Sequence, residues 1–262
     1  MEIIFSKYKT QAIFASLILV VLLAVLANFV QAKAALFAVA FIAFAGWKPN
    51  KTWQKISHVV LLVVTSIGLI LHLVPGFNNI LIWQDRLFSD NSAPHIFYLN
   101  FDKALVAIAL LFYLFRQQGL HEKASQTTRH LLMVSAVTIG ITFATALLVG
   151  VIDWNLKLPD NILLFMFSML FITVTAEECL FRGVLQRSLS AKLGIWSVVV
   201  VAMLFGFAHL PFSTGFAICA SIASLGYGYV YYKSGQIIWP ILLHTAVNFT
   251  HLFLFSYPLK IG

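Results

Sequence analysis

Long apolar runs separated by short polar connections extend along the whole chain. Eight runs have about the length that a helix needs to cross a bilayer, which is about 20 residues. They cover residues 13–30, 56–74, 103–115, 131–152, 162–181, 195–210, 216–232 and 237–255. A shorter apolar run at residues 34–47 is either a ninth span or a re-entrant segment. The pattern therefore predicts an all-α fold, a polytopic transmembrane bundle of eight or nine helices.

The composition supports an integral membrane protein. Of the 262 residues, 61% are hydrophobic and 10% are charged, and the mean hydropathy is +0.92. A soluble domain carries roughly a quarter charged residues. No polar stretch of this chain is long enough to fold as a separate soluble domain. We therefore expect a multi-pass protein whose surroundings are the lipid bilayer.

The net charge of +8 does not indicate a nucleic-acid partner, because the basic residues are spread over short loops and do not form one patch. Basic loops tend to remain on the cytoplasmic side of a membrane. With nine spans, most of the 17 lysine and arginine residues lie on the side of the N-terminus, which predicts a cytoplasmic N-terminus. With eight spans, the orientation of everything after residues 34–47 would be reversed.

Three charged residues interrupt the apolar run that ends near residue 181. Glu177 and Glu178 are adjacent, and Arg182 follows Glu178 at helical i,i+4 spacing, so that an ion pair can form between them. Glu177 lies about 100° further round the helix and has no such local partner. Carboxylates inside a membrane are costly and mark functional sites. We therefore take Glu177 as the candidate general base and Glu178 with Arg182 as a supporting pair.

The two following polar pairs lie at a similar depth in the predicted bundle. Phe205 precedes His209 by four residues, and His244 precedes Asn248 by four residues. Counting from the turns near Gly194 and Gly235, at about 1.5 Å per residue, places these side chains in the same layer as Glu177. The sequence thus predicts one site formed by polar groups from three helices.

In this order, the pattern Glu177-Glu178-x-x-x-Arg182, Phe205-x-x-x-His209 and His244-x-x-x-Asn248 resembles the three motifs of the CPBP family. That family comprises type II CAAX prenyl endopeptidases and proteins like lysostaphin resistance protein A. The resemblance covers residues 161–255, and no motif precedes it. We accordingly divide the chain into N-terminal transmembrane helices at 1–130 and a C-terminal catalytic core at 131–262.

The resemblance implies an intramembrane endopeptidase that works through a glutamate-activated water and needs no cofactor. Glu177 would activate the water, and His209 would hold it or relay its proton. His244 and Asn248 would donate hydrogen bonds to the oxyanion. The expected substrate is a membrane-associated protein or peptide, either CAAX-like or a C-terminal membrane anchor. The small size of the chain suggests a prokaryotic plasma membrane.

Two other functions remain open at the level of sequence. Glu177, His209 and His244 could instead bind a catalytic zinc ion, although the chain contains no H-E-x-x-H motif. The same polar residues could also belong to a membrane transporter or to a scaffold that binds partners without cleaving them.

Overall fold

The computed structural model describes residues 2–117 and 127–261, with side chains described from residue 8 onward. Within these ranges the chain forms nine helices and one two-stranded hairpin. The helices are α1 (Glu2–Leu26), α2 (Ala32–Ala45), α3 (Thr52–Ile70), α4 (Phe101–Arg116), α5 (Thr128–Leu148), α6 (Leu163–Leu193), α7 (Trp196–Ala208), α8 (Thr214–Ser234) and α9 (Ile238–Leu254). The strands are β1 (Ile80–Arg86) and β2 (His95–Leu99). The predicted all-α helical bundle is confirmed.

The helices differ in how far they could reach across a membrane. Four of the described helices, α1, α3, α5 and α6, are long and apolar enough to cross it. The apolar helices α2, α7 and α9 are shorter. The 13 residues of α7 reach only about 20 Å, against about 30 Å for the hydrocarbon core. The protein is thus an integral membrane protein, while the exact number of spans and the cytoplasmic N-terminus stay predictions.

Helix α4 lies at the centre of the first hydrophobic core and packs against α2, α3 and α6. Its side chains Leu105 and Leu110 are fully buried. The same core contains Ile42 from α2 and also Val174 and Leu252 from the C-terminal half. The core is therefore continuous across residue 130, and the division of the chain at that residue remains a prediction about where the motifs lie.

Helix α8 organises the C-terminal half and packs against α5, α7 and α9. Small side chains let its neighbours approach closely. A Cβ atom added to Gly206 of α7 would lie 1.8 Å from the Ser221 hydroxyl oxygen and 2.8 Å from the Ala217 carbonyl oxygen of α8. This close contact fixes the position of α7 against α8, and with it the position of His209, which directly follows α7.

A two-stranded hairpin occupies the connection between α3 and α4. Strands β1 and β2 pair in antiparallel register, and Trp83 of β1 packs on Phe97 of β2 and on Phe165 of α6. The Trp83 indole donates a hydrogen bond to Nδ1 of His95. Burial, reinforced by the charge of Arg86, lowers the pKa of His95 to about 4, so that the ring is neutral near pH 7 and can accept this bond. Aromatic strand residues thus dock the hairpin on the end of the bundle.

The α7–α8 contact generates a test of stability. We expect Gly206→Ala to lower the stability of the purified protein by about 1–3 kcal/mol, because an extra methyl group in a close-packed contact forces the helices apart. Thermal unfolding in detergent measures the effect. Gly140→Ala is the matched control, since a Cβ atom there meets nothing within 4 Å, and it should leave the unfolding temperature unchanged or raise it. Equal unfolding temperatures for Gly206→Ala and the unmodified protein would contradict the close contact.

Candidate active site

Helix α6 presents the two glutamates between two widened turns. Residues Met169–Val174 and Cys179–Gln186 form π-helical turns, whereas Thr175–Glu178 between them is α-helical. Such π-helical turns are rare and occur frequently at functional sites. The wider turns change which side chains of α6 point toward the neighbouring helices. A regular helical repeat therefore does not predict the directions in which Glu177 and Glu178 point.

The ion pair between Glu178 and Arg182 forms as the spacing suggested. The Arg182 Nη1 atom lies 3.0 Å from Glu178 Oε1, and both side chains are completely buried. Arg182 Nη2 also donates hydrogen bonds to the carbonyl and hydroxyl oxygens of Ser224 on α8. The guanidinium lies over the rings of Phe205 and Tyr227, at 4.9 and 5.2 Å from their centroids. Arg182 thereby ties α6 to α7 and α8.

His244 of α9 lies between the two glutamates of α6. Its Nδ1 atom is 2.7 Å from Glu178 Oε1, and its Nε2 atom is 4.0 Å from Glu177 Oε2. Since an ionised carboxylate can only accept, Nδ1 carries a proton and donates a hydrogen bond to Glu178. Tyr227 stacks on the His244 ring at 4.7 Å and fixes its plane. Glu178 therefore has a second partner that its own helix does not reveal.

His209 directly follows α7 and is oriented by its own chain. Its Nδ1 atom lies 2.8 Å from the carbonyl oxygen of Phe205. A carbonyl oxygen can only accept, so Nδ1 donates, and in the neutral ring Nε2 is left as an acceptor. The Phe205 ring lies 4.5 Å from the His209 ring and 5.7 Å from the His244 ring. Phe205 thus separates the two histidines and packs against both.

A cavity between α5, α7, α8 and α9 collects three of the four candidate catalytic residues. His209, His244 and Asn248 line it, together with a mainly apolar wall. Glu177 does not line this cavity; it adjoins it through His244, and its side chain is 21% exposed. The structure thus brings the three motifs to one place, as the depth estimate from sequence indicated. Their catalytic roles remain proposals.

The grouping of possible metal ligands bears on the zinc alternative. Among residues 2–117 and 127–261, no three histidine, cysteine, aspartate or glutamate side chains are grouped so as to hold a metal ion. The Nδ1 atoms of His209 and His244 are engaged by protein acceptors, and their Nε2 atoms stay open. We therefore derive no chemical step through a metal.

Three further polar residues around the site were not identified from the sequence. Ser224 and Tyr227 bracket Arg182 from α8, and no motif marks them because their role depends on contacts with another helix. His251 lines the same cavity as Asn248. Its position three residues after Asn248 places it on the same face of α9, so helical spacing could have identified it.

A comparison with protein families found a match in the C-terminal part of the chain. Residues 159–250 match the family described as type II CAAX prenyl endopeptidase Rce1-like. The match includes all seven motif residues, and it confirms the resemblance that their order suggested. Comparisons with curated proteins and with solved structures gave no match. Residues 159–250 of this helical membrane protein are therefore similar to the Rce1-like type II CAAX prenyl endopeptidases.

Proposed function

We propose that this protein is an intramembrane endopeptidase that hydrolyses a peptide bond of a membrane-associated protein or peptide with a water molecule activated by Glu177. The observation that carries the proposal is the position of His244. It lies between the two glutamates, on the wall of the cavity that also contains His209 and Asn248. The Rce1-like domain supports an endopeptidase in general.

The two glutamates differ in how many partners bind their carboxylates. Glu178 is completely buried and is bound by both Arg182 and His244, whereas Glu177 is partly exposed and its nearest ring nitrogen is 4.0 Å away. A general base must reach the proton of a water molecule that is free to move. Glu177 meets this requirement, and Glu178 instead holds its neighbours in place.

These positions support the following hydrolytic step. Glu177 takes a proton from the water as the water oxygen attacks the carbonyl carbon of the substrate. The Nε2 atom of His209, left as an acceptor, holds the second water proton and orients the molecule. When the tetrahedral intermediate collapses, the carbon–nitrogen bond breaks, and Glu177 returns its proton to the leaving amine. No other proton donor is needed.

The negative charge on the carbonyl oxygen needs hydrogen-bond donors. The amide of Asn248 supplies one from the cavity wall. His244 supplies a second through Nε2, but only when its ring carries both protons, because Nδ1 already donates to Glu178. Glu178 therefore contributes to catalysis by orienting His244 and balancing its charge, and it does not act as a base.

The cavity is mainly apolar and contains few polar groups. We therefore propose that recognition depends on an apolar segment next to the cleaved bond, in either a CAAX-like substrate or a C-terminal membrane anchor. We further propose a prokaryotic plasma membrane as the location and a cytoplasmic N-terminus.

Replacing Glu177 tests the identity of the base. We expect Glu177→Gln to abolish cleavage while the protein stays folded and inserted, since the change removes the base but keeps the shape. Cleavage of membrane peptides, followed by mass spectrometry, measures this. Asp90→Asn, which changes an exposed carboxylate in the hairpin region, is the matched control and should remain active. Unchanged turnover of Glu177→Gln would show that the base is assigned wrongly.

Replacing Asn248 tests the oxyanion donor. We expect Asn248→Ala to reduce kcat on the order of 10²–10³-fold with little change in KM, the usual effect of losing one oxyanion donor. Steady-state kinetics with one cleavable peptide gives both constants. A large rise in KM at constant kcat would instead assign Asn248 to substrate binding.

Metal dependence separates the proposed mechanism from the zinc alternative. We expect full activity after prolonged treatment with a membrane-permeant chelator and no stoichiometric zinc by elemental analysis, because the proposed water is activated by a carboxylate. A zinc enzyme would lose its activity and regain it with added metal, since the ion makes its water reactive. Stoichiometric zinc together with metal-restored activity would overturn the glutamate mechanism.

A further inference from the structure

The cavity continues past the proposed catalytic residues to a polar side chain that the mechanism does not use. His251 lies on α9 three residues after Asn248 and seven after His244, and all three line the same cavity. Along the helix axis, His251 is about 4.5 Å beyond Asn248. That distance corresponds to between one and two residues of an extended peptide, which rises about 3.3 Å per residue.

The protein fixes which nitrogen of His251 is free. The Nε2 atom lies 3.1 Å from the carbonyl oxygen of Ser256, and a carbonyl can only accept, so Nε2 carries the proton. Nδ1 is then a hydrogen-bond acceptor in the neutral ring. In the described part of the chain, Nδ1 has no hydrogen-bond partner.

Aromatic side chains keep this ring in place. Tyr257 packs against the His251 ring at 5.0 Å, and Phe143 and Phe216 lie further out at 6.2 and 6.4 Å. Thr142, which is 5% exposed, is another polar residue of the cavity wall, and its hydroxyl oxygen also lacks a hydrogen-bond partner. Polar groups buried without partners are rare in folded proteins.

A peptide bond that is to be cleaved must leave its helix, and its backbone N–H groups then lose their partners. In a site with little water, each unpaired N–H costs several kcal/mol unless the protein supplies an acceptor. His209 and His244 are already committed in the proposed mechanism. His251 offers a fixed acceptor at the distance of the next residues of the substrate.

We infer that His251 is a substrate-binding residue whose Nδ1 atom accepts a hydrogen bond from a backbone N–H of the extended peptide, one or two residues from the cleaved bond. The ligand class is thus a peptide main chain, independent of side-chain identity. This inference rests on the proposed function and assigns a specific contact within the same site.

Two substitutions test the two ring nitrogens of His251 separately. The side-chain amide of glutamine can replace the Nε2 donor to Ser256 but supplies no acceptor at the position of Nδ1, whereas the oxygen of asparagine can replace the Nδ1 acceptor but loses the bond to Ser256. We expect His251→Gln to keep the unfolding temperature and to raise KM about tenfold or more, as expected for a buried N–H left without an acceptor. We expect His251→Asn to lower the unfolding temperature and to keep KM within about threefold, which is less than the loss of one hydrogen bond.

The substrate side of the bond provides the second measurement. The probe is one peptide that the unmodified protein cleaves in detergent micelles, chosen from farnesylated CAAX peptides and apolar transmembrane peptides. Replacing single backbone N–H groups near the cleaved bond by ester oxygens should raise KM at one position. In His251→Gln, the same ester should cause no further rise, because the bond is already lost.

The outcomes distinguish the inference from the proposed function. A wild-type KM for His251→Gln, or equal rises in KM for both variants, would overturn the role of Nδ1 while Glu177-dependent cleavage still stood. An ester effect that persists in His251→Gln would also overturn it. Cleavage that does not depend on Glu177 would instead overturn the proposed function.

Discussion

A guanidinium group buried away from water depends on hydrogen-bond partners within the protein, and Arg182 imposes this requirement on the C-terminal half. Its charge is met by Glu178 on the same helix and its Nη2 group donates to Ser224 of α8, while Phe205 and Tyr227 cover its faces. Its Nε–H has no hydrogen-bond partner among the described residues. Breaking a buried pair of this kind costs about 3–5 kcal/mol in soluble proteins. The contacts of Arg182 therefore favour this arrangement of α6, α7 and α8.

The same constraint separates the two adjacent carboxylates. One oxygen of Glu178 accepts from both Arg182 and His244, so this side chain is held by two helices. Glu177 is left half-buried at the edge of the network, close to His244 but not bound by Arg182. The two adjacent glutamates thus differ because their surroundings differ. Glu178 is a fixed counter-charge, and Glu177 is the proposed reactive group.

Local spacing made part of this site predictable. Glu178 pairs with Arg182, and Phe205 approaches His209, because each pair has i,i+4 spacing within one stretch of chain. Such spacing can be seen in the sequence. The contact of His244 with Glu178 and the stacking of Tyr227 depend on how separate helices rotate and meet, and the π-helical turns of α6 change that rotation. The β-hairpin was missed because aromatic contacts with α6 hold its strands in place, and no repeat in the sequence of the strands indicates these contacts.

The shortness of α7 has a consequence for the membrane itself. A helix of about 20 Å cannot match a hydrocarbon layer of about 30 Å, and a short apolar segment is accommodated by thinning of the surrounding lipid, by snorkelling of flanking residues or by oligomerisation. His209 lies at the end of this helix and lines the cavity, so thinning beside α7 would act next to the cavity. In the proposed mechanism, such thinning would shorten the path of water to Glu177, and hydrolysis there would require no permanent aqueous pore.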